Sequence, residues 1–203
     1  ELVRSRHTDP GIRLQSVLRR ADLHRKAAIR STSPVRLVTS LARAILAAFR
    51  VIVLTRNGRR QPDMTADAYR LLQQTLMRTS ERLLLLMPRH LSRPVLPLLA
   101  LATRFGSSGL QRNENGNRHI MFRQRQCHLA ALRCLVRGEP APRRLCDELA
   151  DLHETYWNGD DRNGAGNCTV SLALIAAAAG DGGARQHLEL ARWEYEQATV
   201  DHV

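Results

Sequence analysis

Residues 34–55, PVRLVTSLARAILAAFRVIVLT, decide the fold class. Their Leu, Val, Ile and Ala side chains recur at helical spacing, without the strict alternation of a half-buried strand. Ser33-Pro34 opens the stretch with a capping hydroxyl and a proline at the first helical position, where its missing N–H costs nothing. The run Val51 to Leu54 reads as the end of this helix rather than as a strand of its own. Arg36, Arg43 and Arg50 are spaced by seven, with Ser40 and Ala47 between them, so they fall on one narrow cationic stripe. Three roles fit such a stripe. It is the solvated edge of a core helix, a row of guanidiniums roughly 10 Å apart that tracks phosphates, or the polar side of a helix lying on a membrane surface. Central arginines make a transmembrane span too costly, and three prolines with Arg89, His90 and Arg93 exclude one over residues 83–105.

The same grammar extends along the chain in both directions. Asp9-Pro10 opens a helix over 10–30, Thr65 caps one that Pro88 stops, and Pro94 and Pro97 open a short apolar helix to about Phe105. Residues 106–117, GSSGLQRNENGN, read as a loop on their Gly and Asn content. Helices over 118–137 and 142–157 follow, and a second Gly/Asn/Asp loop from Asn158 to Asn167 leads to helices near 169–179 and 184–199. The expected fold is all-α, about eight helices in consecutive hairpins, forming an irregular bundle or a short repeat-like array. From Leu172 the chain resembles helix–turn–helix repeats in general, but the spacing does not recur. With only 4% aromatic residues, a core of Leu, Ala, Val and Ile favours this class over a β-sandwich.

Charge bounds the partners. The 203 residues carry 31 basic and 19 acidic side chains, a net +12, and Lys26 is the one lysine. GC-rich coding accounts for the preference for arginine, but not for the excess of positive charge. Residues 1–60 carry +11, residues 61–138 carry +8 and residues 139–203 carry −7. One end therefore attracts a polyanion, while the other suits a basic neighbour. Two units are expected on this basis, a basic amino-terminal helical segment over 1–60 and a helical domain over 61–203 with an acidic last third.

Arg59 and Arg60 in the turn after the first stripe extend the cationic surface. A second basic unit combines Arg112, Arg118, Arg123, Arg125, Arg133 and Arg137 with Asn113, Asn115, Asn117 and Gln124, the first four arginines being the expected RNA contacts. Guanidiniums that fork onto phosphates, beside amides that reach base edges or 2′-hydroxyls, suit irregular RNA better than a duplex groove. Asp147, Asp151 and Glu154 share one helical face with His153 beside them, which reads as an acidic surface docking an arginine-rich neighbour. The loop from Asp160 fails the EF-hand pattern, because Ala165 and Leu172 occupy ligand places. No Walker loop, HExxH, GxSxG or zinc spacing is present, so no cofactor or metal is expected. Cys127, Cys134, Cys146 and Cys168 contain no CxxC, and the first two lie two turns apart, too far to bridge, so buried free thiols of a reducing compartment are expected.

These readings converge on a non-enzymatic, RNA-binding accessory subunit of a large ribonucleoprotein, with neighbouring basic subunits as its second kind of partner. The Arg-rich, acid-poor first 60 residues point to a mitochondrial matrix residence and an organellar ribosome. The alternatives are a secreted or viral effector-type module that binds protein, and an enzyme using the acidic region 147–161.

Overall fold

The computed structural model describes residues 10–30, 34–57, 62–88, 91–111 and 116–200. Eight α-helices follow one another, with no strand among the described residues: α1 Pro10–Arg30, α2 Pro34–Asn57, α3 Pro62–Leu86, α4 Leu96–Leu110, α5 Gly116–Arg137, α6 Arg143–Asn158, α7 Arg162–Ala179 and α8 Gly183–Val200. A 3-10 turn, Arg93–Val95, leads into α4. The fold is the expected all-α array of packed consecutive helices. It departs from strict sequence order where α7 also lies against α5 and where α1 touches α3.

Three apolar clusters run through the array. Ala21, Ala48, Val51, Ile52, Leu71 and Leu72 join α1, α2 and α3. Leu76, Met77, Leu99, Leu129 and Leu132 join α3, α4 and α5, and Cys127, Leu149, Leu152 and Cys168 join α5, α6 and α7. Leu99, Leu129 and Leu149 are fully buried, each contributing about 1.5–3 kcal/mol relative to exposure. Helix α6 shows how the pattern sets the packing. Leu145, Leu149, Leu152 and Tyr156 recur at four- and three-residue steps and face the core, leaving Asp147, Asp151 and Glu154 on the solvent side.

Three boundaries differ from the sequence reading. Helix α4 runs straight through Gly106-Ser107-Ser108-Gly109, which the composition marked as loop. Both glycines are buried: a Cβ at 106 would meet the amides of Gln73 and Gln126, and one at 109 would come 2.5 Å from the Phe122 ring. They are the close-contact face of a helix, continuing the Ala102 position at four and seven residues. Helix α7 likewise begins at Arg162 instead of near 169, because the Asp161 carboxylate accepts from Gly164 N at 2.8 Å and caps it. Gly164 and Gly166 then lie under the rings of Tyr156 and Tyr195. Finally, α3 starts at Pro62, with Asp63 in its first turn, so Thr65 sits inside the helix rather than capping it. The expected caps Asp9 and Ser33 lie outside the described residues.

Candidate anion-binding site

The residues expected to act together divide into separate groups. Arg43 and Arg50 are exposed on α2, and neither has an ion pair among the described residues. Leu46, Phe49, Val53 and Leu54 are exposed beside them, so this face is mixed apolar and cationic. The Arg36 side chain, and Arg59, Arg60 and Arg112 altogether, lie outside the described residues, as do Asn113 and Asn115. The arginines of α5 turn towards neighbouring helices. Arg118 pairs with Asp63 at 3.1 Å and Asp67 at 3.5 Å on α3, and Arg123 pairs with Glu148 of α6 at 3.0 Å. Arg125 is 9% exposed, because α5 is packed between α3, α4 and α7 and leaves little of its surface to water.

Arg125 lines a cavity of about 660 Å³ enclosed by α3, α5, the α6–α7 corner and α8. Helix α3 supplies Gln74, Met77, Arg78 and Glu81, one helical stripe. Helix α5 supplies Arg118, Met121, Gln124, Arg125 and His128, and Asn163, Asn167, Tyr156 and Tyr195 close the far side. Met77, Gln124, Arg125 and His128 are buried and form the floor, while Arg78, Thr155 and Asn163 stand exposed at the rim.

The charges in this cavity are unevenly matched. Glu81 is held by His128, whose Nε2 lies 2.8 Å from Oε1, and by Arg78 Nη1 at 2.8 Å from Oε2. The second carboxylate, Asp161, is spent on the α7 cap. Arg125 has no ion pair among the described residues, and its Nη1 is buried without a hydrogen-bond partner. Burial first, then the positive charges of Arg70, Arg78 and Arg25, pull its guanidinium from 12.5 down to about 10, with Tyr156 opposing. It is still a cation at neutral pH.

Glu81, His128 and Ser171 are linked in the order of a hydrolytic triad, with Ser171 Oγ 2.9 Å from His128 Nδ1. Ser171 is fully buried and its hydroxyl donates to Asn167 O at 2.8 Å. The relay ties α3, α5 and α7 together.

Asp147, Asp151 and Glu154 are exposed on α6, as the sequence places them, and Asp147 faces Arg143 at 4.0 Å. His153 is turned the other way. Its Nε2 lies 2.6 Å from Glu194, a 1% exposed carboxylate on α8. Trp157 stacks on both His153 and Trp193, with ring centroids 6.0 Å and 5.8 Å apart, and the Arg162 guanidinium covers it at 3.8 Å. Among the described residues no three His, Cys, Asp or Glu side chains converge to hold a metal ion. No described helix is long and apolar enough to cross a membrane. All four cysteines are free, Cys127 and Cys168 buried, Cys134 and Cys146 half-buried.

Of the lining residues, Arg118, Gln124 and Arg125 are conspicuous in the sequence, and Arg78, Glu81, Tyr156 and Tyr195 are not. Arg78 and Glu81 belong to a polar stripe at helical spacing on α3, the pattern of an ordinary solvated face, while Tyr156 continues the core-facing steps of α6 and Tyr195 lies on α8. Fold and site together define an all-α helical array with a cationic cavity in its middle. No protein-family model, curated protein or solved structure matches the chain.

Proposed function

We propose that the protein is a non-enzymatic, RNA-contacting accessory subunit of a large ribonucleoprotein, and that the assembly is an organellar ribosome of the mitochondrial matrix. The observation that carries this reading is the supply of uncompensated cations on the first two helices. Arg19, Arg20, Arg30, Arg43 and Arg50 are all exposed, and none has an ion pair among the described residues. Guanidiniums left open to water are available to phosphates, and each phosphate neutralised releases condensed counterions. The acidic side chains Asp147, Asp151 and Glu154, exposed on α6 well along the chain, fit the second expected contact, a basic neighbouring protein.

One observation favours a second reading. Leu46 is 69% and Val53 57% exposed, in line with Arg43 and Arg50. Such a face buries apolar surface against protein, as in an effector-type binding module, or lies on an anionic membrane surface. Salt separates the readings. Binding of the full chain to structured RNA is expected to weaken by about three orders of magnitude between roughly 50 and 200 mM salt, if six phosphates are neutralised. Absent or salt-independent RNA binding removes the ribonucleoprotein reading, and capture by anionic vesicles in its place assigns the face to a membrane surface.

A further inference from the structure

The cavity around Arg125 has no part in a polyanion contact made by α1 and α2, and its chemistry asks for a ligand of its own. A buried guanidinium is tolerated when a carboxylate or a set of carbonyls satisfies it. Here both carboxylates that line the space are committed elsewhere, Glu81 to His128 and Arg78, Asp161 to the start of α7. Arg125 is left 9% exposed, with Nη1 unpartnered. Arg70 and Arg78 act on it as like charges, while the carboxylates beside them, Asp67 and Glu81, pair with those two arginines.

We propose that this cavity binds a phosphate monoester of nucleotide size, with its phosphate on Arg125 and Arg78 and its organic body against Met77, Met121 and Tyr195. A phosphate offers three acceptor oxygens and close to two negative charges, enough for two guanidiniums, whereas a carboxylate satisfies one fork. The space, about 660 Å³, is far larger than an inorganic anion and falls in the roughly 300–1,000 Å³ range of small-molecule sites. Amides of Gln124 and Asn163 supply donors and acceptors for a heterocycle or sugar, so the lining matches a polar headed, partly apolar ligand.

The test is calorimetric titration of the full chain at low ionic strength with adenosine 5′-monophosphate, inorganic phosphate and adenosine. The monophosphate is expected to bind, phosphate to bind more weakly, and adenosine to give no heat. Arg125→Met fills the same volume without charge and is expected to weaken the monophosphate by about tenfold or more. Arg78→Ala, at an exposed position, is expected to weaken it several-fold, and decides alone if the first variant does not fold. The proposal is overturned if neither monophosphate nor phosphate binds the wild-type chain, or if Arg78→Ala binds the monophosphate as tightly as wild type. Short RNAs with and without a 5′-phosphate identify the source of the monoester. A preference for the phosphorylated end assigns an RNA terminus, and equal binding of the two assigns a free nucleotide. Arg43→Glu with Arg50→Glu is expected to leave monophosphate binding unchanged, so failure of the α1–α2 reading and failure of this one are distinguishable.

Discussion

At the scale of single residues, Glu81 shows how the interior handles charge. Burial acts to raise its carboxyl, but the hydrogen bond and charge of His128, together with Arg78, outweigh this and hold it below its ordinary 4.5. A carboxylate whose folded value is depressed stabilises the fold above its unfolded value, and that contribution disappears as pH falls through the lower, folded one. The chain is therefore expected to lose stability from about pH 4.5 downward, and Glu81→Gln to flatten that acid limb while costing about 1–3 kcal/mol at neutral pH. Urea unfolding curves of both proteins at pH 7 and across the acid limb measure this, and an unchanged acid limb removes Glu81 as its source. Individual identities of this kind were visible in the sequence, but their roles were not. His128 reads as one more isolated histidine until α3 and α7 bring Glu81 and Ser171 to its two nitrogens.

Among the helices, α4 carries the sharpest expectation. Alanine is the better helix former, so Gly109→Ala gains propensity at an interior helical position, by about 1 kcal/mol. The new methyl would press on the fully buried Phe122 ring, and overpacking costs about 1–3 kcal/mol. The clash should win, giving a net loss on the order of 1 kcal/mol, whereas Gly116→Ala, whose methyl meets nothing within 4 Å, should be neutral or stabilising. Thermal melts of the two variants beside wild type check the pair; equal midpoints would show that α4 and α5 are not in close contact. The helix centres were legible because their apolar periodicity is strong. The stretch over 106–110 and the start of α7 were not, because glycine disfavours a helix locally and is restored only by what packs on it. Gly106, Gly109, Gly164 and Gly166 all lie under side chains from other helices.

Over the whole molecule, the consequential feature is how charge is distributed once the chain is folded. Arg118 and Arg123 are spent on ion pairs between helices, and Arg125 is enclosed. Exposed Arg43 and Arg50 remain available. Arg43→Glu with Arg50→Glu is accordingly expected to leave helicity by circular dichroism intact and to lower the log–log salt slope of RNA binding by roughly 1 to 2. Wild-type affinity and slope after the double reversal assign that stripe to structure alone. The sequence by itself determined the helical class, the number of helices, the apolar face of each and the net charge, since all of these are sums or periodicities along the chain. Only the tertiary structure decided which polar stripes meet water and which meet one another. A row of arginines, amides and acids at helical spacing looks the same in both situations, and the cavity exists because three such rows, from α3, α5 and α7, were turned to face a common space.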